Sequence, residues 1–99
     1  MSQSILRRRL VDVSERIKRM RAELGVTEEQ LSFLEDEAES ARLRSLVAET
    51  PLADADARET RRHADAMARQ RDSLVRSISE LRREQDDLLD RMAADLAPR

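Results

Sequence analysis

Four carboxylates, Glu49, Asp54, Asp56 and Glu59, crowd one short stretch around Pro51. Held at the end of a slender support, they would offer concentrated negative charge to a narrow basic or metal-bearing cavity, whose low-dielectric walls strengthen charge interactions. Asp54 and Asp56 also suit the start of a helix, where the backbone dipole favours negative charge. The two roles are compatible. A second acidic group, Glu84, Asp86, Asp87 and Asp90, would attract a divalent cation, yet it lacks the helix-to-helix carboxylate and histidine pattern of di-metal bundles. It reads as a solvated face opposite Arg7, Arg8 and Arg9. His63 is the single histidine and there is no cysteine, so no metal site of ordinary spacing is expected. No Ser-His-Asp, Cys-His or glycine-rich phosphate loop is present; neither an enzyme nor a bound cofactor is expected. The run Arg7-Arg8-Arg9 stands in a chain of net charge −2 with a single Phe and no Trp or Tyr to stack bases, so direct nucleic-acid binding is not expected either.

The support for these residues follows from composition. Ninety-nine residues with one Gly, two Pro, one Phe and no Trp or Tyr do not supply the turns or aromatic mass of an ordinary compact domain. Charged residues are 40 % and hydrophobic ones 39 %, the balance of a coiled coil rather than of a disordered tail. The expected class is all-α. No apolar run approaches the roughly 20 residues of a membrane span, and no signal peptide is visible, which together with the absence of cysteine suits the cytoplasm. Eighteen of the nineteen basic residues are Arg, the bias of a GC-rich, bacterial genome.

Two long heptad patterns meet at the acidic stretch. The first steps by alternating fours and threes through Leu6, Leu10, Val13, Ile17, Met20, Leu24, Thr27, Leu31, Leu34, Ala38, Ala41 and Ser45. The second runs through Thr60, Ala64, Met67, Arg71, Leu74, Ile78, Leu81, Gln85, Leu88, Met92 and Asp95. Pro51 lacks an amide proton and pushes Thr50 out of the helical region, so the first helix should stop near Ala48, with Thr50 and Pro51 as N-cap and first residue of the next. The chain is thus a single antiparallel two-helix hairpin: arm one about 3–48, a tip about 49–53, arm two about 54–97. Gly25 interrupts arm one, and a kink or break is expected there if anywhere, although the heptad phase survives across it.

Charge supports the antiparallel pairing. Residues 1–25 carry seven basic and three acidic groups, and residues 84–99 two and five. Residues 26–59 carry three basic and ten acidic groups, and residues 60–83 seven and three. Folding at the tip sets opposite blocks side by side, with Leu10 opposite Met92, Val13 opposite Leu88 and Leu34 opposite Met67. Several apolar residues lie beside the seam, chiefly Val26, Phe33, Val75 and Leu89. They form a flank for a second copy of the chain, as a four-helix dimer, or for another protein.

From the tip onward the chain resembles the coiled-coil hairpin of the DksA/TraR family. There, acidic residues at the tip are followed in the returning helix by an Arg-x-Arg-Asp run; here the tip reads Ala53-Asp54-Ala55-Asp56-Ala57 and the run Arg69-Gln70-Arg71-Asp72. The stretch covers about 20 residues, and the family's four-cysteine zinc finger is absent. By shape the Gre-type transcript-cleavage factors are similar. The resemblance implies a hairpin whose acidic tip, Asp54 and Asp56, enters the secondary channel of RNA polymerase. The residues themselves point to a non-enzymatic coiled-coil interaction protein, a self-associating scaffold or adaptor, with the polymerase-binding transcription regulator as the alternative.

Overall fold

The computed structural model describes residues 2–96; residue 97, the expected end of arm two, lies outside them. Two α-helices, α1 (Gln3–Ala48) and α2 (Pro51–Leu96), form a helical hairpin, and the described residues contain no strand. Gly25 is helical and α1 runs through it without a break. A glycine inside a helix costs about 1 kcal/mol relative to alanine, which one position among 46 can carry when its neighbours Leu24 and Thr27 are held in the seam. Thr27 is 3 % exposed, so it packs instead of capping a new helix.

The connection is only Glu49 and Thr50, narrower than a tip of 49–53, because α2 starts directly at Pro51. Glu49 takes the left-handed conformation with φ of 51°, and its amide donates to the Ser45 carbonyl at 3.0 Å, which closes the last turn of α1. Thr50 caps α2. Its hydroxyl accepts the Ala53 amide at 3.2 Å, its carbonyl accepts the Asp54 amide at 3.0 Å, and Pro51 sits where no amide proton is needed.

The hairpin divides into two units, in each of which a stretch of α1 lies against a stretch of α2. The terminal unit holds α1 up to Glu23 and α2 from Leu74. Its core is Leu6, Val13, Ile17, Leu81 and Leu88, with Leu10, Met20 and Met92 packed against them, so the expected layers of Leu10 with Met92 and Val13 with Leu88 belong to one cluster. Gln85 donates to the Ser14 hydroxyl at 3.0 Å and Gln3 to the Met92 carbonyl at 3.2 Å, both across the helix pair. Asp95, the last seam position, is exposed.

The turn-bearing unit spans Leu24–Ser73. Its buried residues are Thr27, Leu31, Ala38, Ala41 and Ala64; Ala41 and Ala64 are fully enclosed, so the layers nearer the turn are built on methyl groups. Leu34 and Met67 line a common groove with Phe33. Glu35 and Arg61 join the two helices at 2.7 Å.

Candidate functional site

The tip carboxylates are not four equivalent free charges. Asp54 stands in the first turn of α2, and its carboxylate accepts a hydrogen bond from the Ser45 hydroxyl of α1. Asp56, half a turn further on, is reached by the Arg44 guanidinium of α1 at 3.4 Å. Each aspartate therefore ties α2 back to α1, while the amide of the first turn is capped by Thr50 rather than by either of them. Glu59 points to His63 on its own helix, 4.0 Å away, and Glu49 occupies the turn itself. The structure thus brings Asp54 and Asp56 together with Ser45 and Arg44, and leaves Glu59 one helical turn along. The four carboxylates, Arg44 and His63 are exposed and Ser45 is half-buried, and ion pairs so open to solvent are weak.

Arg44 carries no signal as an isolated residue, and Ser45 reads only as the last seam position of α1. They become legible once the chain is folded about Glu49 and Thr50, since residues equally far from the turn on either side must face each other.

Below the tip the turn-bearing unit carries a groove of about 440 Å³ whose floor is Ala38 and Ala57. Arg42, Arg58, Arg61 and Arg62 rim it, together with Glu39. Two of the arginines are committed: Arg42 forms a two-pronged pair with Glu39 at 2.7 and 3.0 Å, and Arg61 holds both Glu35 and Asp65. The Arg61 hydrogen bond holds the Glu35 carboxyl below its usual range, and the Arg42 hydrogen bond does the same for Glu39. The same bonds push both guanidiniums up. Arg58 and Arg62, one turn apart on α2, have no ion-pair or hydrogen-bond partner among the described residues. Neither the groove nor its arginines stand out in the linear sequence, because they come from two helices.

The flank residues are all exposed, Phe33 at 64 %. They are divided between the units, Val26 and Phe33 in the turn-bearing one and Val75 and Leu89 in the terminal one. Phe33 borders a groove with Glu29, Gln30, Leu34 and Met67. In the second acidic group Asp87 pairs with Arg91 on its own helix at 3.1 Å. Among the described residues no three His, Cys, Asp or Glu side chains converge as a metal site, and no helix is long and apolar enough to cross a membrane. Comparison with protein-family models, with curated proteins and with solved structures finds no match to this chain.

Proposed function

We propose that this chain is a non-enzymatic coiled-coil interaction protein that associates with itself in the bacterial cytoplasm, as a scaffold or adaptor. The observation that carries this reading is the exposed apolar surface. Among the described residues eleven large hydrophobic side chains, Phe33 and Leu89 among them, are exposed, as many as the hydrophobic residues that the hairpin buries. A two-helix hairpin that leaves this much apolar surface wet gains by covering it with a partner. Light scattering across a concentration series tests the reading: the unmodified chain should gain mass with concentration, and Phe33→Gln with Leu89→Gln should give a helical monomer. A chain that is monomeric at high concentration overturns self-association and assigns the flank to another protein.

A second reading, a regulator that inserts its acidic tip into the secondary channel of RNA polymerase, draws on the tip itself. The alanine layers Ala38, Ala41 and Ala64 let the helices approach closely below Asp54 and Asp56, a form suited to a narrow channel. Changing both aspartates to Asn should abolish retention on polymerase with little loss of helix content. Unaltered retention, or none for the unmodified chain, removes this reading.

A further inference from the structure

We infer that copies of this chain join head to tail, the Phe33 face of one seated in the arginine-rimmed groove of the next. The inference rests on the self-association proposed above and specifies its surfaces. Phe33 is the chain's only aromatic residue and is 64 % exposed. On α1 its neighbours at one turn's distance are Glu29, Asp36 and Glu37, so an apolar ring projects from a carboxylate frame. None of the three has an ion-pair partner among the described residues. Elsewhere on the same turn-bearing unit lies the opposite arrangement, a methyl-floored groove of about 440 Å³ beside Arg58 and Arg62, which are unpaired among the described residues. Like charges one turn apart repel each other within α2, and carboxylates delivered by a partner would relieve that repulsion. Ring to alanine floor and carboxylates to guanidiniums match in both shape and sign.

The two surfaces do not share residues: Phe33 borders Gln30, Leu34 and Met67, whereas the groove is built on Ala38, Ala57 and Arg58. A contact between different patches of identical chains is heterologous, so it propagates beyond two copies unless its rotation closes a ring. Electrostatic matching of exposed groups also makes the association salt-sensitive.

Complementation between two broken copies tests this. Phe33→Gln removes the ring and leaves the groove; Arg58→Glu with Arg62→Glu reverses the groove and leaves the ring. Each variant alone should be monomeric by sedimentation equilibrium, with helix content and melting unchanged by circular dichroism. Mixed in equal amounts they should form a one-to-one heterodimer and nothing larger, while the unmodified chain forms species beyond the dimer that dissociate in high salt. Arg58→Gln with Arg62→Gln, which adds no negative charge, should weaken association at least tenfold and serves if the Glu pair perturbs folding. If both variants still associate like the unmodified chain, self-association stands and its assignment to these surfaces fails. If the mixture stays monomeric, the head-to-tail geometry fails. If the unmodified chain is itself monomeric, both readings fall together.

Discussion

In the terminal unit α1 and α2 meet through Leu6, Val13, Ile17, Leu81 and Leu88, whereas the turn-bearing unit encloses Ala38, Ala41 and Ala64 beside Leu31 and Thr27. A fully buried Leu or Ile contributes about 1.5–3 kcal/mol, and a methyl group about 0.8. The terminal unit therefore draws its cohesion from apolar burial. The other buries less beyond Leu31 and Thr27, and its two-residue connection and Thr50 cap weigh relatively more, with exposed pairs such as Glu35 with Arg61 and Arg44 with Asp56 adding little each. It is also the unit that carries the acidic tip, the arginine-rimmed groove and the exposed Phe33. Small layers bring two helices close and leave long charged side chains little to pack on, so the same choice of alanine makes the unit thin, weakly buried and rich in addressable charge. Large apolar layers are thus concentrated in one unit and the acidic tip with its neighbouring arginines in the other, whereas exposed apolar side chains occur in both.

The sharpest way to break this comparison is to delete volume in the apolar unit. Leu88→Ala should cost about 2–5 kcal/mol in urea unfolding, the range for a buried Leu that leaves a cavity. Adding volume in the other unit should cost less: Ala41→Leu, placed where no space exists, is expected to lose about 1–3 kcal/mol through overpacking. If Ala41→Leu were instead stabilising, the close approach of the helices at that layer would be wrong. Removing the cap by Thr50→Ala should take about 1 kcal/mol and increase fraying at the start of α2, seen as faster amide exchange there.

The smallest effect concerns the cross-helix ion pair. The Arg61 hydrogen bond holds Glu35 below its ordinary value of 4.5, so the folded state favours the charged form. The stabilisation is present above that value and disappears as the pH falls from 4.5 through the lower folded pKa. Glu35→Gln should therefore lower the melting temperature slightly at pH 7, and the difference from the unmodified chain should vanish in acid below that window. A difference that persisted unchanged in acid would mean that Glu35 acts by packing and not by charge.

Much of the hairpin is legible in the sequence because a heptad repeat reports burial directly. Leu6, Val13, Ile17 and Leu31 on α1, and Ala64, Leu74, Ile78, Leu81 and Leu88 on α2, occupy seam positions of the two patterns and are buried. Pro51 and Thr50 announce the turn through backbone chemistry that needs no tertiary context. Gly25 is harder to read, because local preference argues for an end and the flanking seam residues argue for continuity; the helix persists. The partners of the tip aspartates, Ser45 and Arg44, require the register of two helices, and the groove beside Arg58 and Arg62 requires their spacing as well. The flank Val26, Phe33, Val75 and Leu89 reads as one set by hydropathy alone, but its members fall in separate units because hydropathy carries no information about which stretch of partner helix stands nearby.

The two-residue connection also bears on the order in which the chain closes. Contacts between the helices span nine residues at Ser45 and Asp54 and 89 at Gln3 and Met92. Because closure entropy grows with the logarithm of loop length, making the wide contact from an open chain costs about 2 kcal/mol more than making the narrow one. Each layer formed near Thr50 shortens the loop that the following layer must close. Folding is thus expected to start among alanines, where little is gained per layer, and to reach Leu88 and Leu6 last. Contacts that form late leave the folding rate nearly unchanged and slow the unfolding rate. On this account Leu6 and Leu88 govern how long the hairpin stays shut, and Thr50 and Pro51 govern how quickly it shuts.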